Sequence, residues 1–210
     1  KEYCEGRFWP DSLLSLNPRY KAGRTVDELV ESGLLNPETG EIFRGLRLYS
    51  HQAQALVKAK KGNSFVVTTG TGSGKSLCFF IPIVDAIIDA IKSGAPRRTR
   101  AIIIYPMNAL ANSQIQEIEK FISNSGLSDE LKPVVKRYTG QEDHGERKRI
   151  ANSPPDILLT NFMMAELLLT RHDEVDSKVI ANAEGLQFIV LDELHTYRGR
   201  QGADVAILVR

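Results

Sequence analysis

The feature that most constrains this chain is the octapeptide Thr69-Gly-Thr-Gly-Ser-Gly-Lys-Ser76, set between two apolar segments of different period. Upstream, Ser64-Phe-Val-Val-Thr-Thr69 is a short β-branched run that predicts a buried strand. Downstream, Lys75 to Ile91 carries a long apolar stripe at helical spacing. Gly70, Gly72 and Gly74 let the backbone curl, so that the N–H groups of the loop, Thr71 and Ser73 included, point inward at an anion. The helix that follows adds its positive amino-terminal end. Lys75 then supplies a mobile charge for the β- and γ-phosphates of a nucleotide, and the Ser76 hydroxyl is placed for magnesium. The strict pattern has glycine where Thr69 stands. The bland alternative is a glycine-rich turn before an ordinary helix; three glycines, Gly-Lys-Ser and a strand-to-helix setting together argue against it.

The rest of the chain reads as strands alternating with helices. After the helix come strands at Ala101–Tyr105, Val134–Tyr138, Asp156–Thr160 and Phe188–Asp192, with helices near Ala109–Ser123 and Met163–Thr170. Gln52–Lys60 forms a further helix ahead of the loop, and 93–100 and 139–155 read as polar connections. Continuous apolar strands of this kind predict an α/β fold with a mostly parallel sheet covered on both faces. Residues 1–46 differ: Pro10, Pro18, Pro37 and several turn signals break them up, with one short helix from Thr25, capped by Thr25 with Glu28 three residues on. They form an accessory segment whose function is not readable, and 47–210 form the main domain.

Phe188-Ile-Val-Leu191 ends in Asp192-Glu193-Leu194-His195. Ligands of open α/β sheets bind beyond the carboxyl ends of the strands, so these carboxylates share an edge with the glycine loop. Asp192 is the better magnesium partner, and Glu193 the better group to orient and deprotonate an attacking water. Without the upstream loop the same residues would read as a solvated acidic turn. His195, two residues from that base, links the nucleotide site to a neighbouring domain or to nucleic acid.

Composition sets limits. The 210 residues are 42% apolar and carry a formal charge of +1, so a core is available but no global basic field. Cys4 and Cys78 have no metal or disulfide spacing and read as reduced thiols of a cytosolic protein. No stretch has the length of a membrane span, and the opening Lys-Glu-Tyr-Cys-Glu does not read as a signal peptide. The missing initial Met and the close at Ile207-Leu-Val-Arg210, inside a helical pattern, are expected of a fragment.

Read in order, Tyr49-Ser-His-Gln52, the glycine loop, Tyr105-Pro-Met-Asn-Ala-Leu-Ala-Asn-Ser-Gln114, Tyr138-Thr-Gly140, Asp156-Ile-Leu-Leu-Thr-Asn161 and Asp192-Glu-Leu-His-Thr-Tyr-Arg-Gly199 resemble the first motor domain of superfamily 2 DExH helicases. Within that superfamily the set is most similar to the MrfA/Hrq-like branch of RecQ-related DNA helicases and to large phage-defence helicases. The resemblance covers about 47–210 and implies a RecA-like three-layer sandwich that binds ATP and magnesium. It implies that Gln52 reads the adenine edge, with Tyr49 nearby, and that Pro106, Asn108, Asn112, Thr139, Gly140, Thr160 and Asn161 touch a nucleic-acid backbone. Such contacts give position, not sequence specificity, and each residue taken singly also fits capping or turn chemistry. Tyr197 and Arg198 fall where related proteins carry an aromatic coupling loop; stacking on a base and pairing with phosphate are the implied roles. The clusters Arg97-Arg98-Arg100 and Arg147-Lys148-Arg149 either extend the nucleic-acid path or are exposed loop surface.

The resemblance also implies a second RecA-like domain that supplies an arginine finger, without which the chain is expected to bind ATP weakly and turn it over very slowly. The implied function is an ATP-driven DNA helicase or translocase in DNA repair or antiviral defence, acting on single-stranded DNA or a single-stranded tail. A nucleotide-dependent nucleic-acid switch without unwinding, and an RNA helicase, share the same residues; DNA rests on the resemblance alone.

Overall fold

The computed structural model describes residues 20–70 and 72–208. Cys4, Pro10, Pro18, Thr71 and Arg210 lie outside the described residues. A strand β1 (Ala22–Thr25) leads into α1 (Val26–Glu31), α2 (Pro37–Ile42), β2 (Arg47–Tyr49) and α3 (Ser50–Lys60). The glycine loop opens α4 (Leu77–Lys92), followed by β3 (Ala101–Tyr105), α5 (Asn108–Asn124), β4 (Val135–Tyr138) and α6 (His144–Asn152). Then come β5 (Ile157–Asn161), α7 (Phe162–Thr170), α8 (Glu174–Ala181), β6 (Phe188–Leu191), a 3-10 turn at Leu194–Thr196 and α9 (Arg200–Leu208).

Four strands form one parallel sheet in the order β4-β5-β3-β6. β3 is buried at every position. Because side chains alternate across a strand, Ala101, Ile103 and Tyr105 pack with α4 and α5, while Ile102 and Ile104 pack with the layer of α6, α7 and α8. The sheet is thus the middle of three layers, the arrangement expected of continuous apolar strands. In register, Ile104 lies beside Thr160 and Leu191, and Thr160 beside Tyr138. All four strands therefore end together, and their carboxyl ends make one edge.

The short helix expected from Thr25 is α1. The Thr25 hydroxyl accepts from the Glu28 amide at 3.2 Å, and the Glu28 carboxylate accepts from the Thr25 amide at 3.1 Å. β1 pairs antiparallel with β2, and Val26, Leu29, Leu35, Ile42 and Phe43 join the same core as α4 and β3. One buried carboxylate fastens these pieces. Asp85 of α4 accepts from the Asn36 amide at 2.8 Å and the Thr39 hydroxyl at 2.7 Å, and it pairs with Lys60 of α3.

Several local expectations are corrected. The run Ser64–Thr69 forms no strand among the described residues, and Val66 is 75% exposed. Among the described residues β6 pairs with β3 alone, so this run has the pattern of a strand without a ladder. Residues 139–155 are not simply a connection: Asp143 caps the Glu146 amide at 2.8 Å and starts α6. The turn signals at Asn36-Pro37 begin α2, with proline at the start of the helix where its missing N–H costs nothing. Nothing in the sequence reading anticipates α8. Among the described residues no helix is long and apolar enough to cross a membrane.

Asp85→Ala strips Lys60, Asn36 and Thr39 of a shared acceptor. It is expected to lower unfolding free energy by about 3 kcal/mol, toward the low end for a broken buried pair because Lys60 still reaches water. A urea titration reads this as an earlier midpoint at unchanged slope.

Candidate nucleotide and nucleic-acid site

The glycine loop keeps the curl that its composition dictates. Gly72 and Gly74 have φ of +74° and +66°, a region that disfavours any Cβ. The Thr69 and Ser73 hydroxyls lie 2.6 Å apart, so threonine at the first position is used to tie the loop across its base. Ser73 is buried. The Lys75 ammonium donates to the Thr69 and Gly70 carbonyls at 3.2 and 3.3 Å, folding over the loop it is to serve. Ser76 stands at the start of α4, and its hydroxyl makes no capping bond.

Gln52 is 3% exposed, so it is not a solvated residue of α3. Its carboxamide joins two elements. Oε1 accepts from the Tyr49 amide at 2.7 Å, and Nε2 donates to the Gly74 carbonyl at 2.8 Å and the Ser73 carbonyl at 3.4 Å. A ring nitrogen of His51 lies 3.1 Å from the Ser73 carbonyl as well. The loop is therefore held in shape by α3. Tyr20, Tyr49 and His51 form a ring cluster with centroids 5.3 to 5.8 Å apart, and the Tyr20 hydroxyl lies against Gly70, where a Cβ would come within 2.9 Å. His51 and Tyr20 were not singled out in the sequence; only the loop's folded path reveals them.

Asp192 and Glu193 sit at the end of β6, on the common edge. The Asp192 amide donates to the Ile104 carbonyl at 3.0 Å, which extends the ladder by one residue and fixes the carboxylate's origin. Burial raises the Asp192 pKa above the usual carboxylate range. The Glu193 amide, donating to Oδ1 at 2.9 Å, opposes this; the Glu193 carboxylate adds to it; Lys75 and His195 oppose it through their charges. The charge of Lys75 in the glycine loop is thus felt at Asp192. A half-buried carboxylate of raised pKa that feels a lysine at the phosphate loop, with an uncapped serine hydroxyl on that loop, suits a hard divalent cation. Glu193 has φ +48°, the left-handed region, and among the described residues no other non-glycine does. Such strain is held only where surroundings over-determine it; here the Asp192 side chain and the Thr196 amide and hydroxyl, both donating to the Glu193 carbonyl at 2.8 Å, do so. His195 Nδ1 lies 3.2 Å from a Glu193 carboxylate oxygen, so the histidine contacts the proposed base itself.

The residues expected at a nucleic-acid backbone lie beside this site, where β3, β4 and β5 end. Asn161 Nδ2 donates to the Asn108 side-chain oxygen at 2.6 Å and to the Thr139 carbonyl at 3.0 Å, while Asn161 Oδ1 caps α7 through the Met164 amide at 2.7 Å. Pro106, Asn108 and Asn161, with Met107, Phe162, Met163 and Gln201, line a cavity of about 280 Å³. Asn112 accepts from Arg137, which also contacts Glu142, the residue whose carboxylate receives the Thr139 and Gly140 amides. Arg137 and Glu142 are missing from the sequence reading because neither belongs to a recognisable motif.

Two of the residues expected at nucleic acid are buried, and arginines of both basic clusters are paired within the protein. Thr160 is fully buried, its hydroxyl donating to the Tyr138 carbonyl at 2.7 Å, so it braces β4 against β5 instead of facing a ligand. Tyr197 is 8% exposed and packs on Phe162 at 5.9 Å between ring centroids, so its ring is not presented to a base; burial also pushes its hydroxyl pKa up to about 12. Arg198 stays exposed, with Nε donating to the His195 carbonyl. Arg97 and Arg100 pair with buried Asp156, and Arg98 donates to the Glu184 carbonyl. They precede β3, at the opposite edge of the sheet, and do not extend the site. Arg147 is likewise held by Tyr138, Asp173 and Asp176.

A family model for the DEAD/DEAH box helicases matches residues 49–210, and the chain belongs to that family. It is 30% identical over 187 residues to the ATP-dependent helicase YprA of Bacillus subtilis, an alignment covering 89% of this chain and 22% of YprA. It is 29% identical over 180 residues to the ATP-dependent helicase HRQ1 of Saccharomyces cerevisiae, covering 81% of this chain and 15% of HRQ1. The crystal structure of the DUF1998 helicase MrfA bound to DNA and AMPPNP superposes with a TM-score of 0.74 at 28% identity, over 92% of this chain and 25% of that one. The chain therefore spans less than a quarter of the length of these curated relatives.

Gln52→Ala is expected to weaken nucleotide binding about tenfold, by freeing the Gly74 carbonyl and the Tyr49 amide. Because the lost contacts hold the loop, inorganic tripolyphosphate should weaken in parallel with ATP in competition against a fluorescent nucleotide. A glutamine that served only adenine would leave tripolyphosphate unaffected.

Proposed function

We propose that this chain is the ATP-binding half of a nucleic-acid-dependent motor, a DNA helicase or translocase. What supports the reading is an Asp-Glu pair at the end of β6 beside a hydrogen-bonded band of Asn108, Asn112, Thr139, Gly140 and Asn161, with the charge of Lys75 in the glycine loop felt at Asp192. Amides at positions 70 to 75 bind phosphate, and Lys75 turns from the loop carbonyls to the β- and γ-phosphates. Ser76 and Asp192 hold magnesium, which when bound neutralises charge on the phosphates. Glu193 takes the proton of the attacking water, and His195, in contact with Glu193, carries the state of that base to nucleic acid or to a neighbouring domain. Gln52 and Tyr49 support the loop and, on the family resemblance, face adenine. The second RecA-like domain and its arginine finger belong to the same proposal, as do action in repair or antiviral defence and a cytosolic setting.

DNA is favoured over RNA because MrfA, to which the fold is similar, was solved with DNA. A nucleotide-dependent switch without hydrolysis has no use for a carboxylate held at Glu193 in a strained conformation, which favours the enzyme.

Glu193→Gln should retain ATP binding while nucleic-acid-stimulated hydrolysis falls by about a hundredfold or more, the usual contribution of a general base. A coupled ATPase assay with oligonucleotide checks this, and undiminished turnover would return the switch reading. His195→Ala should leave ATP affinity intact and reduce the stimulation by nucleic acid, measured as the ratio of turnover with and without oligonucleotide.

A further inference from the structure

Glu142 lies at the nucleic-acid band but is an acid, and the donors around it are those of an anion site. Its side chain is only 3% exposed. Oε2 accepts from the Thr139 amide at 2.7 Å and the Gly140 amide at 3.0 Å. Oε1 accepts from the Thr139 hydroxyl at 3.0 Å and lies 3.2 Å from Arg137 Nε. Two successive amides before a left-handed glycine, Gly140 at φ +85°, make a concave anion nest. A hydroxyl and a guanidinium complete a set that suits the two free oxygens of a phosphodiester as well as it suits a carboxylate. Arg137 also donates to Asn112, and the Thr139 carbonyl accepts from Asn161, so the nest is bonded to the rest of the band.

Taking Thr139 and Gly140 as the backbone contacts that the family resemblance implies, we infer that the Glu142 carboxylate is the resident competitor for the strand phosphate at that position and that Arg137 adds its charge there. This rests on the nucleic-acid reading above. A strand phosphate entering the nest displaces Glu142 by side-chain rotation. The displaced residue sits in a three-residue link between Gly140 and α6, flanked by exposed Gln141 and Asp143. Net charge in the nest is then unchanged, one anion for another. The Glu142 charge therefore lowers both affinity for nucleic acid and the salt dependence of binding, and Arg137 raises both.

The test is the dissociation constant of a labelled single-stranded oligo-dT, measured by anisotropy across a potassium chloride series. Wild type, Glu142→Gln, Glu142→Ala and Arg137→Ala are compared, each checked for an unchanged melting transition and unchanged ATP affinity. Glu142→Gln keeps an acceptor for the turn but removes the charge; it should bind about tenfold more tightly. Its slope of log affinity against log salt should be steeper by about 0.7, the increment for one strand phosphate. Glu142→Ala should move the same way, and Arg137→Ala should bind more weakly with a shallower slope. If wild type binds and Glu142→Gln binds no more tightly, the carboxylate only braces the turn and the inference is overturned while the function stands. If neither binds, both fall. Binding that appears only in Glu142→Gln supports the inference most directly.

Discussion

β3 cannot be solvated on either face. Five consecutive buried residues from Ala101 to Tyr105 require a layer above and a layer below, and only crossover helices supply both to neighbouring parallel strands. Parallel strands end at one edge, and that is why an acidic pair after β6 and amide side chains after β3 and β5 come together although Asn108, Asn161 and Asp192 are far apart in the chain. The chemistry of the site follows from the burial of the sheet that carries it.

Within that edge, charges are set at different depths. Asp192 is drawn into the protein and its pKa raised, while Lys75 waits on loop carbonyls. Glu193 is pinned at a left-handed backbone by hydrogen bonds from its neighbours. Pre-ordering a carboxylate this way removes reorganisation from a later step, which is how fixed groups act on developing charge. The amide band beside it is equally pre-ordered, with Asn108, Asn161 and Thr139 already bonded to one another.

How much of this was legible in the sequence depended on range. The Thr25 capping box, the Asp143 cap and the glycine curl are set within four residues; the first and last were readable at once, whereas α6 was overlooked because His144-Gly-Glu-Arg-Lys-Arg-Ile-Ala-Asn152 buries only Ile150 and Ala151. β3 and β5 were legible because burial on both faces leaves a nearly continuous apolar run, whereas β4 buries only Val135 and Tyr138 and β6 is no more than partly buried. Ser64–Thr69 carries the same run but pairs with no strand, since propensity cannot provide a partner. The burial of Tyr197 and Thr160 was not legible for a further reason. Residues beside a functional motif are as often its supports as its contacts, and only packing against Phe162 or the Tyr138 carbonyl distinguishes the two.

The glycine loop hangs from a segment that is not stitched to the sheet, and the clamp from Gln52 and His51 gives it a foothold on α3. α3 in turn follows β2, whose partner β1 begins the described chain. The glycine loop and the carboxylates therefore have different immediate supports, α3 for the one and the β6–β3 ladder for the other, although both rest on the same core.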